Sequence, residues 1–112
     1  MIVFREMAQF KGFGIVIEVR AGDHGKLGDK NSPAHAHVLN NAKKELAKIE
    51  LTIKMPEKIS EIKWYRTPNP PPGLAPKIIN LSKMVSKTAK KAGGKLTVWQ
   101  NIVNQWLIFN EQ

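Results

Sequence analysis

Five of the chain's seven prolines fall between Pro68 and Pro76, in the stretch KWYRTPNPPPGLAP. Proline fixes φ and lacks an amide proton, so this run can be neither helix interior nor central strand. It reads as a stiff, extended connector between two parts of different hydrophobic period. The expected plan is a single domain of 112 residues, with a sheet portion at 1–66, the connector at 67–76 and a helical portion at 77–112.

Before the connector the apolar residues alternate. In FGIVIEVR, Phe13, Ile15, Ile17 and Val19 face one way and Gly14, Val16, Glu18 and Arg20 the other. AHAHVL predicts a second strand and ELAKIELTIKM a third, with Ala47, Ile49, Leu51, Ile53 and Met55 on one face. NNAKK at 40–44 supplies the turn between them, because Asn tolerates left-handed backbone angles.

After the connector the period changes to helical. KIINLSKMVSKTAKKAGG puts Ile78, Leu81, Val85, Ala89 and Ala92 on one stripe and Lys83, Lys87, Lys90 and Lys91 opposite, with Gly93 and Gly94 as the stop. TVWQ matches a capping box, starting a last helix at Thr97. Its apolar side is Val98, Trp99, Ile102, Val103, Trp106 and Phe109. Two tryptophans on one helix favour burial by the sheet and the first helix, but the stripe covers about half the circumference, more than a helix on a small sheet needs, so the alternative is that part of it is an interface for a homodimer or a partner protein. Strands followed by helices predict an α+β fold, with two C-terminal helices packed on one face of a small, mainly antiparallel sheet.

The formal charge of +9 is unevenly spread: residues 62–110 hold eight Lys or Arg and no acid. Such a one-sided cationic half favours polyanions, and Lys83, Lys87, Lys90 and Lys91 are the candidate nucleic-acid-binding residues. The absence of cysteine excludes disulfides, thiolate nucleophiles and cysteine-ligated zinc. No signal-peptide pattern opens the sequence, and no apolar run approaches the roughly 20 residues of a membrane span, so the expectation is a cytoplasmic protein without membrane contact.

All three histidines lie in DHGKLGDKNSPAHAHV, residues 23–38. His35 and His37 are two apart in a predicted strand, so their imidazoles share a face with Cα atoms about 6.7 Å apart. If the loop between the strands folds back, Asp23 and His24 meet them. The resulting set can hold a first-row divalent metal through His24, His35 and His37, or act as general acid and base without one through the histidines and Asp23. Satisfying backbone groups in a glycine-rich loop is the structural alternative. The glycines match neither a dinucleotide nor a phosphate-loop pattern, and the stretch from Asp23 lacks the closing Glu of a calcium loop.

GFGIVIEVRAGDH followed by PAHAHV resembles the bacterial family of unknown function numbered forty-one sixty. Asp23, His24, Pro33, His35 and His37 match its DHNPPHFH-like run. Ala34 stands where the family has proline and Ala36 where it has an aromatic, and ten residues separate His24 from His35 where the family has three. The resemblance implies a short cytoplasmic protein, strands first and helices with tryptophans after, of a kind counted among toxin and antitoxin components and encoded beside a partner protein. The expectation is a toxin-antitoxin-type component that binds or acts on nucleic acid through the histidine cluster and the lysine face. The alternatives are a non-catalytic protein-binding module, and a metal-binding enzyme or sensor using His35 and His37.

Overall fold

The computed structural model describes residues 6–86 and 96–110. It has four antiparallel strands in sequence order, β1 (Met7–Gly12), β2 (Ile15–Arg20), β3 (His35–Asn40) and β4 (Glu45–Glu50), followed by α1 (Leu74–Ser82) and α2 (Val98–Asn110). The expected α+β arrangement, a sheet followed by two C-terminal helices, is therefore the observed one.

The first strand is not among those read from the sequence. Phe13 and Gly14, expected to begin a strand, form the two-residue turn joining β1 to β2, with φ of 53° and 78°. Positive φ at both central positions matches the right-handed twist of the strands it joins, and it leaves the Phe13 side chain half exposed. The NNAKK turn forms as expected: Asn40 accepts from the Lys44 amide through its side chain and from the Lys43 amide through its carbonyl. The left-handed residue is Lys43, at φ 65°, rather than an Asn.

One face of the sheet carries the core. Ile15, Ile17, Val19, Ala36, Val38, Ala47 and Ile49 pack against Leu74, Ile78 and Leu81 of α1 and Val98, Trp99, Ile102, Val103 and Trp106 of α2. Both tryptophans are buried by the chain itself, at 2% and 0% exposure, so neither ring is left on the surface for an interface. Trp99 Nε1 donates to the Thr52 carbonyl, whereas Trp106 Nε1 has no hydrogen-bond partner among the described residues. The capping box is present: the Gln100 amide donates to Thr97 Oγ1 and the Thr97 amide to Gln100 Oε1.

Three boundaries differ from the sequence reading. The third predicted strand stops at Glu50 as β4, and Ile53, expected on the core face, is 81% exposed. Beyond Leu51 the chain leaves the sheet and returns at 63–65, where Glu50 donates to the Lys63 carbonyl and Tyr65 to that of Lys48. The returning segment therefore occupies the β4 edge, while on the other side the pairing with β3 ends at His35 opposite Glu50. Next, α1 starts at Leu74, three residues before the expected helical portion at 77. Pro76 lies in its first turn, where an amide has no intrahelical acceptor and proline's fixed φ is already helical. Finally, α1 ends at Ser82, so Val85 is not on its stripe. Val85 instead bridges to Thr97, flanked by bonds from Ser86 to Leu96 and from Val98 to Met84. These tie the exit of α1 to the entry of α2. The expected continuation through Ala89 and Ala92 to Gly93 and Gly94 lies outside the described residues. No helix among the described residues is long and apolar enough to cross a membrane.

Candidate metal centre

The sheet face away from the helices is polar at its centre. Gln9, Glu18, His37 and Lys48 form one transverse row across the four strands, each opposite the next. Strand alternation sends Ala36 and Val38 into the core and His35 and His37 to this face. Both imidazoles are buried, at 8% and 5% exposure, and their ring centroids are 5.4 Å apart.

Asp23 reaches them from the loop after β2. That loop folds back on itself through two bonds, Lys26 to the Ser32 carbonyl and Ala34 to the Lys26 carbonyl, and the Asp29 carboxylate holds the Asn31 and Ser32 amides. Gly25 makes the closure feasible. Its φ is 127°, and a Cβ there would lie 2.4 Å from the Pro33 carbonyl oxygen. Asp23 Oδ2 consequently sits 3.3 Å from His37 Nε2 and 3.9 Å from His35 Nε2. The structure thus brings Asp23, His35 and His37 together, with one ligand atom from each inside a span of 4.8 Å. His24, expected with them, is exposed and outside that group.

The other ring nitrogens are also engaged. His37 Nδ1 lies 2.6 Å from Glu45 Oε1, and His35 Nδ1 lies 3.4 Å from the Pro33 carbonyl. Glu45 was not among the sequence candidates, for a definite reason. Simple alternation puts it on the face of Ala47 and Ile49, toward the core. A bulge between Val38 and Leu39 makes Glu45 pair with Leu39 while Ala47 pairs with Val38, and the inserted residue turns Glu45 to the histidine face. Tyr65 was missed as well. The pairing of 63–65 with β4 places its ring flat on His35, with centroids 4.4 Å apart, and the guanidinium of Arg66, left-handed at φ 47°, lies 5.2 Å from the centroid of that ring.

These surroundings move the two histidines in opposite directions. Burial holds His35 below the ordinary imidazole range, because desolvation outweighs the attraction of Asp23. Burial acts on His37 in the same sense, but its bonds to Asp23 and Glu45 outweigh it and raise His37 above that range. For Asp23, the bond and charge of His37 outweigh burial and keep the carboxyl below its usual value. Glu18, beside them, is lowered against burial by its bonds from Gln9 and Arg20.

Of the lysines expected to contact nucleic acid, Lys83 is exposed at the C-terminal cap of α1, and Lys87, Lys90 and Lys91 lie outside the described residues. No family model, curated protein or solved structure matches the chain.

Proposed function

We propose that Asp23, His35 and His37 bind a first-row divalent cation, forming a two-histidine, one-carboxylate centre that leaves coordination positions open to a small ligand. One observation carries this reading: both Nδ1 atoms face oxygen acceptors while both Nε2 atoms turn toward Asp23 Oδ2. With Nδ1 protonated to donate, each neutral imidazole presents an Nε2 lone pair, and three acceptors then converge, an arrangement that a bound cation reconciles. Metal bonds of about 2.1 Å in tetrahedral geometry separate neighbouring ligand atoms by about 3.4 Å. The separations from Asp23 Oδ2 to the two nitrogens, 3.3 and 3.9 Å, require only a small closure. Glu45 behind His37 and the Pro33 carbonyl behind His35 are the outer partners that orient such ligands.

Without metal the same contacts are satisfied by a proton: His37 as imidazolium donates to both Asp23 and Glu45. That state supports a second reading, an acid and base pair acting on a phosphodiester in the manner expected of a nucleic-acid-directed toxin-antitoxin component, since the two histidines are shifted apart in basicity. Calorimetric titration with zinc, cobalt and manganese separates the two. The metal reading predicts about one ion per chain, lost in Asp23→Asn and in His35→Gln. Absence of uptake by wild type, joined to nuclease activity in chelator, would favour the acid and base pair.

A further inference from the structure

The edge of the sheet formed by β1 faces no other strand among the described residues, since β1 pairs with β2 alone. The two-residue turn makes Gly12 and Ile15 a hydrogen-bonded pair, so alternation directs the amides and carbonyls of Phe10 and Ala8 toward β2 as well. Those of Met7, Gln9 and Lys11 point outward. Beside this edge lies a cleft of about 310 Å³, lined chiefly by Phe10 and Lys11 of β1, Leu81 of α1, Met84 and Val85 of the tied segment, and Val98 of α2. Met84 and Val85 are each 42% exposed, although the segment carrying them is fixed by its bonds to 96–98. Apolar side chains and an open row of backbone groups therefore border one trough.

We propose that this trough takes up an extended, acidic segment of a partner protein, which adds to the β1 edge as a further antiparallel or parallel strand. Outward amides and carbonyls at every second residue are the recognition elements of strand addition, and the trough supplies pockets for the alternate side chains of the guest. Charge selects the guest. Among the described residues Lys11 is the one charged residue in the lining, no acidic residue lines the trough, and Lys83 adjoins Met84 in sequence. A second copy would bring the same lysines against each other on a chain of formal charge +9, which disfavours self-pairing.

The test is an NMR titration of the isotope-labelled full chain with synthetic peptides of about eight residues, the length of an ordinary strand. One peptide alternates valine with glutamate, a second alternates valine with lysine, and a third is the glutamate peptide with alternate amides N-methylated so that it cannot pair. The glutamate peptide should protect the amides of Met7, Gln9 and Lys11 from exchange and shift the methyl groups of Met84 and Val85. The other two should bind at least about tenfold more weakly, the difference expected from one opposed charge or one lost edge. Lys11→Glu, at an exposed position, should reverse the preference between the charged peptides without altering the spectrum of the core. The proposal is overturned by equal binding of both charges, by undiminished binding of the N-methylated peptide, or by no binding at millimolar concentration. It is also overturned if those amides become protected with rising protein concentration alone, which would make the occupant a second copy.

Discussion

His37 is the residue on which the site turns, because both of its nitrogens meet carboxylates. In the metal-free protein its folded pKa lies above the unfolded value of about 6.5, so the native state binds the extra proton between the two. The stabilisation is complete below about pH 6.5 and is lost as pH rises through the folded pKa. Asp23 has the opposite sign: its folded pKa is depressed, and its contribution is lost as pH falls below the usual carboxylate range. Denaturant unfolding of wild type and His37→Gln in chelator should therefore show a stability difference that shrinks as pH is raised above about 6.5. A difference that grows with pH would mean that His37 is neutral in the fold. Glu45→Gln keeps a hydrogen-bonding acceptor but removes the charge behind His37. It should weaken metal binding about 10- to 100-fold, as measured by calorimetry.

At the scale of elements, a loop and a bulge make the site, and both trace to single residues. Gly25→Ala would place a methyl group within 2.4 Å of the Pro33 oxygen at a φ that L residues rarely adopt. The loop must then open, and the expected loss is about 1–3 kcal/mol of stability together with metal uptake, while the sheet persists by circular dichroism. The α2 cap is separable from this: Thr97→Ala should cost about 0.5–2 kcal/mol and leave metal affinity unchanged. Much of this level was legible in the sequence. The alternation around Ile17 and Ala36, the turn at Asn40 and the box at Thr97 are local patterns, and each specifies its own element. The same-face spacing of His35 and His37, and the return of Asp23 to meet them, followed from one strand and one loop. What escaped depended on partners distant in sequence. Met7–Gly12 has weak alternation and becomes a strand by pairing with β2. Ile53 had the right period but lies beyond the last β3 partner, His35 opposite Glu50, and Glu45 reaches His37 through a bulge that alternation alone cannot register.

Across the whole molecule the two sheet faces divide the work. One is closed by α1 and α2 around Trp99 and Trp106, whose burial makes Trp106→Ala an expected loss of about 3–5 kcal/mol, readable by denaturant unfolding. The other, free of helices among the described residues, gathers Glu18, Asp23, His35, His37 and Glu45 over hydrogen-bonded strands, so the groups are held in place before any ligand arrives. The most direct measurement of the central claim is the nitrogen NMR of the imidazole side chains during zinc titration. Coordination should move the Nε2 resonances of both His35 and His37 at about one equivalent of zinc while their Nδ1 atoms remain protonated, and His24 should not respond. Zinc-dependent shifts confined to His24, or coordination through Nδ1 of His37 with displacement of Glu45, would contradict the account.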